Sequence, residues 1–207
     1  MTADSVIEHF RMRWTSRAAP FLFMGLVACS RDETASRPRT ESPPEDALAA
    51  VTAAQLRSRI RALHAKAVLV NAWATWCDSC EHELPMLQRL SESLAPQGLR
   101  VLLVSVDEPE ELGQVRTFLA DKGIRLTNYL AARPLGDFKA GINPRWPGML
   151  PASFLFDESG KLRYFWGGEA FESEMMPIVE GLLAGRPIDG ESRFDVAPEG
   201  SNRATAK

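Results

Sequence analysis

The sequence has little of several features that mark common functional classes. Only three cysteines and three histidines occur among its 207 residues, and no second Cys-x-x-Cys or His-x-x-x-His follows the pair Cys77 and Cys80. A closed zinc site needs four such ligands, so we predict no metal and no cofactor. Lysine and arginine number 24 against 27 acidic residues, a formal net charge of -3. No excess of positive charge favours nucleic acid, and we expect no nucleic-acid partner.

The apolar stretch near the N-terminus, Ala18 to Ala28, is too short for a transmembrane helix, which needs about 20 residues. Three arginines precede it, as in the core of a signal peptide. The stretch ends in Leu26-Val-Ala-Cys29, which resembles the lipobox of bacterial lipoproteins, where the signal is cut before a lipid-bearing cysteine. We predict that residues 1–28 are a lipoprotein signal peptide and that Cys29 is lipidated. A plain secretory signal or a buried apolar segment is the alternative.

The next segment, residues 29–48, is predicted to be a flexible tether. Its central part reads SRDETASRPRTESPPED and has too few apolar residues to offset the entropy of ordering. We therefore expect the protein to be lipid-anchored to a membrane of the bacterial envelope, with its domain in the disulfide-permissive periplasm. Residues 49–187 are predicted to form one domain, which we expect to be monomeric, and residues 188–207 a polar C-terminal tail.

Hydrophobic patterning predicts an α/β domain with a central mixed β-sheet and helices on both faces. The continuous apolar runs 67–73 and 99–106 indicate strands covered on both faces, and the helix 78–95 between them completes a parallel βαβ unit. Further helices are predicted over 52–64, 109–122, 134–140 and 175–183, and further strands over 127–131, 152–156 and 162–166. A hairpin turn at 157–160 joins the last two strands, with its glycine placed late.

Cys77 and Cys80 fall where the first apolar strand gives way to a helix. Active groups of such sheets lie beyond the carboxyl ends of the strands, and the unpaired N–H groups of a helix start favour an anion. The thiolate is the attacking species in disulfide exchange. We predict that Cys77 attacks and that Cys80 resolves the mixed disulfide. A structural disulfide and a metal site are the alternatives, and Glu81 stands where haem attachment needs histidine.

Three segments resemble the TlpA/ResA-like branch of the thioredoxin superfamily, membrane-tethered reductases of the bacterial envelope. They are Val68 to Pro85, which holds the cysteines, Val104 to Asp107, and Leu150 to Asp157. The resemblance implies a thioredoxin-like fold and a thiol–disulfide oxidoreductase. Its partners would be the disulfides or dithiols of other proteins and an upstream electron donor.

The resemblance also implies roles for single residues. Pro151 matches the proline that is cis in this superfamily and faces the cysteines, and the backbone of Leu150 would pair with the substrate chain. Asn71 stands where thioredoxins have a buried acid. Glu83 matches an acid near the cysteines, where partial burial would raise its pKa and suit it to proton transfer. The alternatives are that Pro151 merely starts a strand and that Glu83 is a surface carboxylate.

The surroundings of the cysteines leave two questions open. The dipeptide Asp78-Ser79 lacks the proline common in the family, and the charge of Asp78 would raise the pKa of the Cys77 thiol, which leaves the redox direction open. Tryptophans and a methionine near the site predict either an apolar rim that binds substrate, with Trp76 as a member, or ordinary core. The candidates are Trp73, Trp76, Trp146 and Met149.

Two other functions remain as alternatives. The first is a thioredoxin-fold module that binds or delivers copper, although such carriers resemble Cys-x-x-x-Cys with a distant histidine, and no histidine follows His82. The second is peroxide reduction by Cys77.

Overall fold

The computed structural model of the chain describes residues 48–188. The predicted signal peptide, Cys29, nearly all of the tether and the tail from residue 189 lie outside the described residues. Six strands and five α-helices follow one another as β1 (Ala50–Val51), α1 (Ala53–Ala62), β2 (Ala67–Trp73), α2 (Asp78–Leu94), β3 (Leu99–Ser105), α3 (Leu112–Asp121), β4 (Thr127–Ala131), α4 (Leu135–Ile142), β5 (Ala152–Asp157), β6 (Leu162–Gly167) and α5 (Glu172–Leu183). None of the helices in this part of the chain has the length and apolar character that a membrane crossing requires.

The predicted elements are present, with corrections at their ends. The segment Pro109–Glu111 is a 3-10 turn rather than α-helix, because a reciprocal cap between Glu108 and Glu111 closes a separate turn there. Helix α5 begins at Glu172, three residues earlier than predicted, because Glu174 accepts a hydrogen bond from the N–H of Phe171 and caps the helix there. Helix α4 runs on to Ile142. Strand β1 was not predicted, since two residues carry no periodicity.

The strands form one sheet in the order β1-β4-β3-β2-β5-β6. Strands β1, β4, β3 and β2 are parallel, whereas β5 runs antiparallel to β2 and β6 antiparallel to β5. The prediction of a mixed sheet is confirmed. Strand β2 lies at the centre, and all seven of its residues are buried, as expected for a strand covered on both faces.

The helices cover the sheet in two groups. Connections β2–α2–β3 and β3–α3–β4 move along the sheet in one direction, and β1–α1–β2 and β4–α4–β5 move in the other. Right-handed crossovers between parallel strands therefore place α2 and α3 on one face and α1 on the opposite face. Helix α4, which leads into the antiparallel β5, lies on the α1 face, where it contacts that helix. Contacts agree with this division: Arg57 of α1 donates to the carbonyl of Ile142 at the end of α4 at 2.7 Å, and Gln88 of α2 donates to the carbonyl of Gly123 behind α3 at 3.3 Å.

The hairpin between β5 and β6 is organised by Asp157. Its Oδ1 accepts hydrogen bonds from the N–H and the hydroxyl of Ser159, at 2.9 and 2.6 Å, and from the N–H of Lys161 at 3.0 Å. Gly160 has φ +77°, which explains the late glycine. Burial raises the pKa of Asp157, but the hydrogen bonds of the turn and of Arg163 outweigh it and hold the pKa below its ordinary value.

We predict that Asp157→Ala lowers the free energy of unfolding by about 1–2 kcal/mol at pH 7, because the turn loses its hydrogen-bond acceptor. Since the folded-state pKa of Asp157 is lowered, its contribution is present above the unfolded pKa and is lost as the pH falls through the folded value. The difference between wild type and variant should therefore shrink below about pH 4. Guanidinium unfolding followed by circular dichroism measures it, and a difference that persists undiminished at about pH 2 contradicts the assignment.

Candidate active site

The two cysteines lie at the junction of β2 and α2. The chain leaves β2 at Trp73 and makes a tight turn, in which the N–H of Cys77 donates to the carbonyl of Ala74 at 3.2 Å. Helix α2 then begins with Cys77 as its N-cap residue. Cys77 and Cys80 form a disulfide with their Cα atoms 5.2 Å apart. The prediction that Cys77 and Cys80 lie where the first apolar strand gives way to a helix is confirmed.

The surroundings of Cys77 favour a thiolate. Its Sγ accepts a hydrogen bond from the N–H of Cys80 at 3.3 Å, and the Ser79 hydroxyl lies 3.7 Å away. The positive end of the helix dipole adds to this stabilisation. Asp78 is exposed, so water screens its opposing charge. Cys77 is 8% exposed and Cys80 only 1%, so Cys77 is the more accessible of the two buried cysteines.

The Leu150-Pro151 peptide bond is cis, as the resemblance implies. Strand β5 begins at Ala152, directly opposite Ala72 of β2, so Pro151 lies at the sheet edge from which the cysteines emerge. Pro151 is buried and its carbonyl accepts from the N–H of Gly168 at 2.9 Å. A second cis bond, Arg133-Pro134, was not predicted.

Glu83 lies inside α2 and is only 3% exposed. The alternative of a surface carboxylate is therefore wrong. Burial disfavours the charged form of a carboxyl group, and the role of Glu83 in proton transfer stays a prediction. Asn71 is also buried, and its Nδ2 donates to Ser153 Oγ at 3.0 Å. Pro85 follows two residues after Glu83, within the helix.

Among the candidates for the predicted apolar rim, Trp76 is exposed and Met149 is half-buried. Trp73 and Trp146 are 0% and 4% exposed, so the core alternative is correct for both. Their indole N–H groups are satisfied inside the protein, by Asn128 Oδ1 at 2.8 Å for Trp73 and by the carbonyl of Met149 at 2.9 Å for Trp146. Trp76 is 65% exposed and lies directly before Cys77 in the chain.

A groove of about 700 Å³ adjoins Trp76. Phe118 of α3 contributes an apolar surface to it, and three acidic side chains lie along it: Glu110, Glu111 and Asp121. The Lys122 ammonium lies beside this groove, 5.9 Å from the centre of the Phe118 ring. It hydrogen-bonds to Glu81 and holds the pKa of that carboxyl below its ordinary value.

Sequence reasoning missed Thr75 and Asp107 as parts of the site. The Asp107 carboxylate is 1% exposed and holds the loop that carries Cys77. One signal was available, since Asp107 follows a parallel strand at its carboxyl end, where functional groups of α/β sheets gather. Across residues 48–188 no three His, Cys, Asp or Glu side chains are grouped so that they could hold a metal ion.

Comparisons with known proteins agree with the site. A thiol-disulfide oxidoreductase ResA of Geobacillus thermodenitrificans is 27% identical over 124 residues, which is 60% of this chain and 67% of the relative. The thioredoxin-like protein YneN of Bacillus subtilis is 32% identical over 121 residues, 58% of this chain and 66% of the relative. The chain thus spans about two thirds of the length of these two proteins.

A solved structure shows the same fold. The crystal structure of a thiol:disulfide interchange protein of the thioredoxin family from Chlorobium tepidum TLS has a TM-score of 0.51 and 28% identity, covering 59% of this chain and 83% of that one. The resemblance to ResA-type oxidoreductases is confirmed, and these names support disulfide exchange over the copper-carrier and peroxidase alternatives. The model of the AhpC/TSA family matches residues 47–165, more than half of the 207 residues, and the chain belongs to the AhpC/TSA family.

Proposed function

We propose that this thiol–disulfide oxidoreductase reduces disulfides of periplasmic proteins. The observation that carries the proposal is the position of Cys77, which caps α2, accepts the N–H of Cys80 and is more exposed than its partner sulfur. This arrangement stabilises a thiolate at the more accessible of the two sulfurs. The names of the relatives support the same chemistry.

The reaction begins with Cys77 as a thiolate and Cys80 as a thiol. Cys77 Sγ attacks one sulfur of the substrate disulfide, whose S–S bond breaks, and the other substrate sulfur leaves as a thiolate and takes up a proton. Cys80 then loses its proton and attacks Cys77 Sγ. The bond between Cys77 and the substrate breaks, and the second substrate sulfur leaves as a thiolate and takes up a proton. The substrate gains two electrons and two protons, and the enzyme ends with the Cys77–Cys80 disulfide. An upstream dithiol donor returns it to the reduced form.

The substrate chain is proposed to lie between Trp76 and the loop at Leu150 and Pro151. The β2–β5 ladder has its last pair at Ala72 and Ala152, so the backbone of Leu150 lies beyond it, where an added strand can pair. Trp76 supplies an exposed apolar surface beside Cys77.

Glu83 is proposed to accept the proton of Cys80 during resolution. It follows Cys80 by three residues on α2, and residues at this spacing share a helix face. Both side chains are buried, so water does not compete for the proton.

The location in the envelope rests on the sequence before the domain. The apolar stretch that ends at Cys29 and the polar segment behind it support a lipid anchor joined to the domain by a tether. A periplasmic location fits a protein whose function is disulfide chemistry.

Cys77→Ser should reduce the disulfide reductase activity to background, because the attacking thiolate is gone. Cys80→Ser should instead accumulate mixed disulfides on Cys77, since resolution is blocked. Non-reducing electrophoresis and mass spectrometry of the trapped species identify the substrates, with the double variant as the control. A Cys77→Ser protein that still reduces disulfides contradicts the assignment, and a reduction potential as oxidising as about -120 mV argues for an oxidase instead.

Glu83→Gln keeps the shape of the side chain but removes its proton-accepting group. We expect resolution to slow by roughly 10- to 100-fold, measured by quenching single-turnover reactions and quantifying the mixed disulfide. Glu81→Gln is the matched control on the same helix turn and should react at the wild-type rate. Equal rates for both variants count against Glu83 as the proton acceptor.

Cys29→Ala should move the protein from the detergent phase to the aqueous phase in Triton X-114 partitioning of cells, because the lipid attachment point is lost. A wild-type protein that already partitions into the aqueous phase shows that Cys29 carries no lipid.

A further inference from the structure

The buried carboxylate of Asp107 is the most heavily hydrogen-bonded side chain near the active site. Its Oδ1 accepts from the N–H of Thr75 at 3.0 Å and from the Thr75 hydroxyl at 2.6 Å. Its Oδ2 accepts from the hydroxyl of Ser105 at 2.6 Å. Burying a carboxylate is costly unless such donors compensate it. Several hydrogen-bond donors therefore bind this one carboxylate, although the loop of Asp107 does not itself carry the cysteines.

Thr75 lies in the centre of the turn that leads from β2 to Cys77. The N–H of Cys77 bonds to the carbonyl of Ala74, so Thr75 and Trp76 are the two central residues of the turn between β2 and α2. In a four-residue turn the backbone angles of the central residues set the direction in which the chain leaves. Fixing Thr75 therefore fixes where Cys77 lies and where Trp76 points.

The loop that carries Asp107 is itself held in place by hydrogen bonds and an ion pair. Arg133 donates from one nitrogen to the carbonyls of Val106 and Asp107, at 3.0 Å each, and forms an ion pair with Glu108 at 2.8 Å. The N–H of Asp107 also donates to Ser105 Oγ at 3.1 Å. These contacts hold the loop after β3 in place, and the active-site turn is hydrogen-bonded to that loop through Asp107.

We propose that Asp107 is a positioning residue for the reaction: through Thr75 it holds Cys77 as the N-cap of α2, in reach of the Cys80 N–H. The proposal rests on the proposed role of Cys77 as the attacking thiolate. Hydrogen bonds to the charged form lower the pKa of a thiol, so a turn released from Asp107 would leave Cys77 less ionised and less well aimed.

A direct effect of the Asp107 charge predicts the opposite result. A negative charge near a thiolate disfavours it, so removing the acid would then make Cys77 more reactive. A role confined to stability predicts a lower free energy of unfolding and no change in the titration of Cys77. The three possibilities therefore predict a raised, a lowered and an unchanged midpoint for the titration of Cys77.

The experiment measures alkylation of Cys77 by iodoacetamide between pH 4 and 10 in the reduced full-length protein, with the modified peptide quantified by mass spectrometry. Thr75→Val keeps the side-chain shape but removes the hydroxyl donor, Thr75→Ser keeps the donor, and Asp107→Ala removes the acceptor. We expect Asp107→Ala, which loses both bonds to Thr75, to react about tenfold more slowly at pH 7, with the titration midpoint raised. Thr75→Val keeps the backbone N–H bond to Asp107 and should change in the same direction by roughly threefold. Thr75→Ser should titrate as the wild type does.

Asp157→Ala is the matched control, because this aspartate also holds a turn but lies at the opposite end of β2, level with Ala67. It should lose stability and keep wild-type alkylation. A wild-type titration in Thr75→Val overturns the proposal, even if Asp107→Ala does not fold. A lowered midpoint in Asp107→Ala overturns it in favour of a charge effect. Alkylation needs no disulfide substrate, so this result is independent of the reductase assay on Cys77→Ser.

Discussion

The hydrogen-bonded pairing of β2 with both of its neighbours is the constraint on which the site depends. Strand β2 pairs with β3 over seven residues and with β5 over six. Because β3 is parallel and β5 antiparallel, the end of β2 meets the end of β3 and the beginning of β5 at one edge of the sheet. The cysteine turn, the Asp107 loop and Pro151 are brought together there by register, although they are far apart in the sequence.

At this edge the buried strand ends and the turn that leads to the reactive cysteine begins. Trp73 and the strand behind it are fully buried, so the turn that follows starts from a fixed point. The reactive sulfur sits four residues later, in the first turn of a helix whose dipole and N–H groups act on it directly. One short turn therefore joins the buried core to the exposed Trp76, the side chain that we propose contacts the substrate.

Much of the fold was predictable because its signals are local. The runs 67–73 and 99–106 are apolar without interruption, and the cysteine pair stands at the boundary between two periodicities. The exposure of Trp76 was not predictable: Trp73 ends the apolar run 67–73 and is buried with it, whereas Trp76 lies in the turn beyond the strand, where no periodicity tells which way a side chain points. The contact between Thr75 and Asp107 spans 32 positions. Both residues follow parallel strands at the carboxyl end, which indicates the same edge of the sheet but not that their side chains meet. Strand β1 depends on pairing with β4 alone.

Pro85 interrupts the backbone hydrogen bonding of α2 close to the turn that holds the cysteines. A proline has no N–H to donate to the carbonyl four residues earlier, so the turn that holds Cys77 and Cys80 is joined to the rest of the helix by one hydrogen bond fewer. Beyond this point Leu87 and Leu90 are packed in the core at 0% exposure. When the disulfide opens, the sulfurs must separate, and the first turn can take up that movement while the remainder of the helix stays packed.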